Sequence, residues 1–211
     1  GLALTAILAT HHHKDHVGGV AALVERFAVP VFGPAREAIP ARTAALAEGD
    51  RIDVPGIGVV LRVLDIPGHT AGHIAYVGDV DGAALFCGDT LFALGCGRLF
   101  EGTPEQMWSS LSKFLALPDA TRVYCAHEYT QSNARFALTW EPDNAARHAR
   151  SKEIDRMRAA GHPTVPSTMG VERATNPFLR PTSRDLQRVL GLVGAGPVEV
   201  FAETRRRKDK F

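Results

Sequence analysis

The chain has 211 residues, 45% of them hydrophobic and 22% charged, enough apolar content for one large domain or for a domain with a smaller appendage. Its formal net charge of +1 excludes a global attraction to nucleic acid or to an anionic membrane surface. Three cysteines, Cys87, Cys96 and Cys125, form no C-x-x-C pair and cannot all pair with one another, so a reduced, cytoplasmic setting is expected.

In chain order, the apolar stretch 2–9 is far too short to span a bilayer and lacks the charged start of a signal peptide. It leads through Thr10 into His11-His12-His13-Lys14-Asp15-His16. Read as T-H-x-H-x-D-H, this run puts four potential metal ligands within six residues. An expression tag would be an uninterrupted tract outside the fold, whereas here Lys-Asp is inserted and apolar segments flank both sides. His11 and His13 project the same way from an extended segment, and His12 points away as a structural residue. Asp15 and His16 fall where the chain turns from strand to helix, facing a second ion beside the first. A helix is predicted over 17–28, with Val20, Leu23, Val24 and Phe27 at helical spacing.

The alternating run 59–66 leads through Pro67-Gly68 to His69, and His73 reads as a supporting residue in the following strand. Segment 83–87 leads through Gly88 to Asp89, which makes Cys87 an apolar strand residue. Thr103-Pro104-Glu105-Gln106 is a capping box opening a helix to about residue 116, with Trp108 and Phe114 in the core. Residues 122–125 lead through Ala126 to His127. Four strand ends thus each deliver at least one metal-type ligand, a common economy of folds that carry sites on loops. Beyond residue 128 the texture becomes helical, over 131–140, 142–160, 183–192 and from Pro197, with no convincing strand and with 161–181 as an extended loop. The domain boundary is placed near 129–131, separating 1–129 from 130–211. His148 and His162 receive no role.

His11, His13, Asp15, His16, His69, Asp89 and His127 suit two adjacent divalent ions, each with three protein ligands, a shared carboxylate and room for a bridging solvent. Such pairs hold ions about 3.5–4 Å apart and lower the pKa of bound water toward about 7, which suits hydrolysis of a carbonyl or phosphoryl group.

The series H-x-H-x-D-H, G-H-T, G-D and A-H resembles the ligand series of the metallo-β-lactamase superfamily. More narrowly, the chain resembles glyoxalase II, the hydroxyacylglutathione hydrolases. The segments that carry this are THHHKDHVGG at 10–19, PGHTAGHIAY at 67–76, CGDTLFALGCGRLFEGT at 87–103 and YCAHEYTQSNARFA at 124–137. EPDNAA at 141–146, PTVPST at 163–168, NPFLR at 176–180 and RRRKDKF at 205–211 extend it through the helical part. The resemblance implies an α/β fold, the four-layer αββα sandwich, with a C-terminal helical substrate-binding domain. It implies one metal on His11, His13 and His69, the other on Asp15, His16 and His127, and Asp89 between them. Asp15 and Asp89 would orient the nucleophilic solvent. Zinc is the first expectation, with iron or manganese accepted by the same donors.

The implied reaction is hydrolysis of the thioester S-D-lactoylglutathione to D-lactate and glutathione, the second step of methylglyoxal detoxification, in a cytoplasmic monomer with no nucleic-acid or membrane partner. A thiolate of pKa near 8.5 leaves readily, so the lack of an obvious proton donor fits a thioesterase better than an amidase. Arg205 and Lys208, three apart in a tail with five basic side chains against two acidic ones, share a face if that tail is helical. By resemblance they bind glutathione carboxylates, together with Arg98 in the place of a family lysine and with Tyr129. Phe100 stands where many members have a second tyrosine, so one hydroxyl contact is absent. Cys96, in a glycine-flanked turn, is expected near substrate but not as a nucleophile.

Sister activities of the superfamily are the alternatives: a lactonase, a ribonuclease or a persulfide dioxygenase with one iron. The ribonucleases add nucleic-acid domains not seen here, and the dioxygenases lack the NPF and RRRKDKF segments. A catalytically silent metal-binding module with a partner-binding basic tail is disfavoured by the intact ligand set. Family members carry further strands before the first ligand run. The expectation is therefore a sandwich lacking its N-terminal strands, with exposed edges and reduced stability and solubility.

Overall fold

The computed structural model describes residues 1–141 and 143–211. Strand β1 (Ile7–Leu8) leads into helices α1 (Lys14–Val17) and α2 (Val20–Phe27), after which β2 (Val31–Pro34) and β3 (Ala44–Leu46) return beside it. These three strands pair in parallel in the order β1-β2-β3. Strands β4 (Arg51–Val54), β5 (Val59–Asp65), β6 (Ile74–Asp79) and β7 (Ala83–Gly88) form an antiparallel meander. A short ribbon, β8 (Leu91–Phe92) and β9 (Gly95–Cys96), precedes α3 (Pro104–Phe114), and β10 (Arg122–Cys125) then joins β7 in parallel. The remainder comprises α4 (Thr130–Leu138), α5 (Ala145–Ala159), β11 (Ser167–Thr168), α6 (Met169–Thr175), α7 (Arg184–Leu190) and α8 (Pro197–Asp209). Strand β11 pairs antiparallel with β10 and completes a six-stranded sheet ordered β11-β10-β7-β6-β5-β4.

Period-two alternation sorts side chains into layers. Ile52, Val54, Leu61, Val63, Ile74 and Tyr76 of the large sheet face Leu8, Phe32 and Leu46 of the small one. On the outer side of the small sheet, Ala9 and Val31 meet Val17 and Val20 of α1 and α2. On the far face of the large sheet, Leu64, Ala75, Leu85 and Cys87 meet Met107, Leu111 and Phe114 of α3, and this core continues into Phe136, Phe178 and Phe201. The layers are therefore α, β, β, α, and the helical C-terminal part shares the core of α3. Each large apolar side chain buried there contributes about 1.5–3 kcal/mol. Polar contacts reinforce the join: Asn176 Nδ2 donates to the carbonyls of Phe92 and Gly95 at 3.1 and 3.0 Å. The Leu94 N–H donates to the buried Glu172 carboxylate at 2.8 Å.

Several expectations hold and some are corrected. The Thr103 capping box is formed, with its side chain accepting from Gln106 N and Gln106 reaching back to the Thr103 N–H. The helix expected over 17–28 is split, because Gly18-Gly19 separates α1 from α2. The helix expected over 142–160 begins at Ala145, capped by Asn144, and Pro142 lies outside the described residues. Segment 161–181 is not an extended loop: it holds β11, α6 and a 3-10 turn, Pro177–Leu179. Thr168 caps α6 by accepting from Val171 N, and β11 draws its stability from β10, a partner invisible to local propensity. Of the apolar stretch 2–9, Ile7–Leu8 is strand, and Leu2 is wholly exposed. Beside it an apolar cleft of about 610 Å³ lies between Leu4, Leu8 and the inner-face residues Val54, Tyr76, Phe86 and Tyr124. Among the described residues no helix is long and apolar enough to cross a membrane.

Candidate metal centre

The donor residues stand at the same edge of the two sheets because each follows a strand or opens a helix. His13 is the N-cap of α1, and the His16 N–H bonds back to its carbonyl at 2.9 Å. That turn sets Asp15 and His16 beside the extended His11–His13 segment. Tyr76 Oη donates to Ala9 O at 2.8 Å and Ile74 N to Thr10 O at 2.9 Å, so β6 fixes where the histidine run begins. Gly88, at φ +50, ends β7; a Cβ there would lie 2.5 Å from Thr10 Oγ1 and 2.7 Å from His73 Cε1, so the close approach needs glycine. The Ala126 N–H then bonds to Gly88 O at 3.2 Å, bringing His127 alongside Asp89.

Donor atoms of His11, His13 and His69 lie within 4.8 Å of one another, and so do those of Asp15, His16 and His127. His13 Nδ1 and His69 Nε2 are 3.1 Å apart although 56 residues separate them. Asp89 stands between the triads: its Oδ2 is 3.6 Å from His69 Nε2 and 3.5 Å from His127 Nε2. Its Oδ1 is 3.2 Å from His16 Nε2 but out of hydrogen-bond alignment. Asp15 Oδ2 is 3.4 Å from His127 Nε2 and 3.5 Å from His16 Nε2.

Outer contacts aim these rings. His69 Nδ1–H donates to Arg98 O at 2.9 Å, which leaves Nε2 with its lone pair toward the centre. His11 Nδ1 lies 3.1 Å from Thr10 Oγ1, and its Nε2 has no hydrogen-bond partner. Burial, reinforced by the neighbouring histidines, holds the His11 imidazole far below its ordinary value and therefore neutral, the form that ligates. His73, fully buried and stacked on His11 at 4.5 Å, is pushed down to about 3 by burial. Its Nδ1–H donates to Ile74 O at 3.0 Å and its Nε2 accepts the Asp89 N–H at 3.2 Å, so it positions the Asp89 backbone, as its sequence context suggests.

A divalent cation fits this centre. His11 Nε2, His16 Nε2 and Asp89 Oδ1 are buried without hydrogen-bond partners. Such atoms are ordinarily satisfied, and here they converge with two carboxylates that a cation would neutralise.

A cleft of about 710 Å³ opens from His69 and Asp89 and runs beneath α8. It is lined by all five residues expected to contact substrate: Arg98, Phe100, Tyr129, Arg205 and Lys208. Tyr129 stacks on His127 at 5.0 Å, and Phe100 sets its edge against His69 at 5.2 Å. Arg205 is 5% exposed: Nη1 donates to Cys96 O at 2.8 Å, Nη2 meets Asp209 at 2.9 Å, and the guanidinium lies over Phe178 at 5.2 Å. Lys208 lies between the rings of Phe136 and Phe211, 5.1 Å from each. Burial, then the charges of Arg205, Arg135 and Arg98, push it down to about 8. Burial raises the Cys96 thiol to about 11 despite Arg205, so it is no nucleophile at neutral pH.

Arg135 and Asp209, which are not among the candidates drawn from the sequence, also line this cleft. Asp209 is detectable as an acid inside a basic run. Arg135 looks like any surface cation of a helix until α8 is laid against α4.

Residues 1–127 match the family described as the metallo-beta-lactamase superfamily, and residues 128–211 match the hydroxyacylglutathione hydrolase C-terminus. The whole chain is 55% identical to the hydroxyacylglutathione hydrolase of Ruegeria pomeroyi, spanning 82% of that protein. It is 57% identical to that of Alkalilimnicola ehrlichii, again spanning 82% of the relative. Among solved structures, ETHE1 from Myxococcus xanthus superposes with a TM-score of 0.63 at 26% identity, covering all of this chain and 79% of that one. TTHA1623 in a di-iron-bound form gives a TM-score of 0.57 at 33% identity, covering 85% of this chain and 79% of that one. Superfamily membership and the converging donors together make the centre a site for divalent metal. By fold, by both halves of its sequence and by its relatives, the chain belongs to the metallo-beta-lactamase superfamily and, within it, to the hydroxyacylglutathione hydrolases.

Proposed function

We propose that the protein hydrolyses S-D-lactoylglutathione and related S-2-hydroxyacylglutathiones, with residues 1–129 carrying the reaction and 130–211 gripping the glutathione. His11, His13 and His69 would hold one divalent ion and Asp15, His16 and His127 a second, with Asp89 shared. The name of the curated relatives and the di-iron form of a 33% identical protein support this reading. Bound divalent ions supply Lewis acidity and a water of lowered pKa. Zinc is the first candidate, with iron and manganese accepted by the same donors.

The chain's own residues supply orientation. Asp89, aimed by His73 through its backbone N–H, would present its carboxylate to both ions and accept a proton's hydrogen bond from the attacking water. Asp15, on the solvent side, would do the same from the other flank. The aromatic walls Phe92, Phe100 and Tyr129 would flank the thioester. Tyr129, half exposed beside His127, can donate its hydroxyl to the substrate. Arg205, Lys208 and Arg98 form a cationic end that suits the two glutathione carboxylates. The departing thiolate needs no strong acid, so the reaction requires no dedicated proton donor.

One observation carries the reading: a converging set of metal donors opens directly into a cleft whose far end is cationic. The protein would act as a cytoplasmic monomer. The test is thiol release from S-D-lactoylglutathione by zinc-reconstituted protein, with Asp89→Ala as control. Metal-dependent release that is lost in the control supports the reading. A folded protein that takes up two zinc ions and releases no thiol points instead to a sister hydrolase of the superfamily.

A further inference from the structure

Glu37 stands in the turn after β2, away from the donors, and is 8% exposed. Its Oε2 lies 3.0 Å from His12 Nδ1. Its Oε1 accepts the Thr70 hydroxyl and, at 3.0 Å, the Gly72 N–H. His12 sits between His11 and His13, and Thr70 directly follows His69. One carboxylate thus touches both chain segments that bring donors to the first triad. A second carboxylate repeats the connection: Glu101 Oε1 is 3.2 Å from His12 Nε2, and Glu101 Oε2 accepts the Ala71 N–H at 2.8 Å.

The local backbone is cut to admit Glu37. A Cβ on Gly72 would lie 2.6 Å from Glu37 Cγ and 2.9 Å from Arg36 Cβ. Arg42 donates to Glu37 O at 2.7 Å and fixes the turn from behind. The Glu37 carboxylate has no lysine or arginine partner among the described residues; it is filled by an imidazole, a hydroxyl and a backbone N–H. Burying a carboxylate is expensive unless such hydrogen bonds compensate it, so its presence here has a specific geometric consequence. Among the described residues neither Glu37 nor Glu101 bonds to Asp15, His16 or His127.

We infer that Glu37, with His12 and Glu101, is a clasp that holds segment 11–13 against segment 69–72, and that Glu37 is therefore a positioning residue for the His11–His13–His69 ion alone. The inference rests on the ligand assignment proposed above. It follows from chain geometry: His11 and His13 approach His69 from a different segment, and an error of about 1 Å in their separation would spoil three-fold ligation. Asp15 and His16, by contrast, are neighbours on one turn of α1.

The experiment is zinc competition against a chelating chromophore on the full chain, comparing wild type with Glu37→Ala, Glu37→Gln and Glu101→Gln. Wild type is expected to hold two zinc ions. Glu37→Ala should release one of them about 10–100-fold more readily while the other keeps its affinity, the size of effect seen when support around a metal ligand is removed. Glu37→Gln, which still accepts from Thr70 and Gly72, should recover part of the loss, and Glu101→Gln should weaken the same ion by a smaller factor. In parallel, kcat should fall with KM unchanged within about twofold, because the clasp does not touch the cationic end of the cleft. Two ions bound as tightly as in wild type by folded Glu37→Ala, or equal weakening of both, would overturn the inference. If Glu37→Ala does not fold, unchanged affinity at both sites in Glu101→Gln overturns it. A wild-type protein that takes up no zinc overturns the ligand assignment itself, a separate and recognisable result.

Discussion

Two buried polar clusters in this molecule are built on opposite principles. At the metal centre, one buried nitrogen each of His11 and His16 and one buried oxygen of Asp89 are left unpaired. In the helical part, Arg147 is fully buried yet every nitrogen of its guanidinium is used: Nε donates to Thr175 O at 2.8 Å, Nη1 to Ala137 O at 3.0 Å and Nη2 to Glu141 at 2.5 Å. Glu141 is completed by Arg180 at 3.2 Å through each oxygen and by the Ser183 hydroxyl at 2.5 Å. A polar group left unpaired inside a protein costs about 1–3 kcal/mol, so a cluster of them persists where something else completes it. The satisfied cluster completes itself and belongs to stability. The unsatisfied one belongs to ligand binding.

This contrast is broken most decisively at Asp89. Asp89→Ala should lower thiol release by more than about 10³-fold, as loss of a group central to charge stabilisation does, without lowering the melting temperature of the metal-free protein. A large fall in that melting temperature would mean the centre is a structural cluster after all. Glu141→Ala should do the reverse. It strands Arg147 as an uncompensated buried charge and should lower stability by about 3–5 kcal/mol in urea unfolding at neutral pH. Burial alone would raise the Glu141 carboxyl, but hydrogen bonds from Arg180 and Ser183 and the charge of Arg147 outweigh it and hold it below its ordinary value of 4.5. The folded protein therefore binds that proton less readily than the unfolded chain. Its contribution is present above pH 4.5 and is lost as the pH falls below that value, a loss that wild type should show and Glu141→Ala should not.

Smaller effects sharpen the reading of the cleft. Lys208, lowered to about 8, is mostly charged at neutral pH and loses its charge as the pH rises through that value. An anionic substrate prefers the charged form, so KM should climb by about threefold between pH 7 and 9.5, a modest figure because the ammonium is partly exposed and screened. Lys208→Arg should flatten that rise, and a flat wild-type profile would remove Lys208 from the binding role. Phe100→Tyr, at the mouth beside His69, should lower KM by about two- to fivefold by adding one hydroxyl contact. No change would mean that the substrate does not reach this wall.

Much of the fold was legible where local pattern and tertiary role coincide. The capping box at Thr103, the alternation that became β5, and the proline-opened α8 all behave as their sequence suggests. Strand β11 and helix α6 were hidden because two residues and seven residues are too short to carry a periodic signal. Strands β2, β3 and β4 are silent for a related reason, since each has only three or four residues. His12 is expected to point away from the donors, and nothing near it in sequence foretells Glu37 or Glu101 as its partners.

The sequence alone determined which residue types the centre has and where each stands along the chain, because ligand chemistry is a property of side chains and each donor follows a strand or opens a helix. Only the tertiary structure decided which donors meet. His69 reaches His13, Asp89 comes between two triads, and Arg205 is anchored on Cys96 by a contact 109 residues long in sequence. Those distances are set by sheet register and by the docking of α8 on the shared core. Long-range packing of that kind leaves no trace in local spacing.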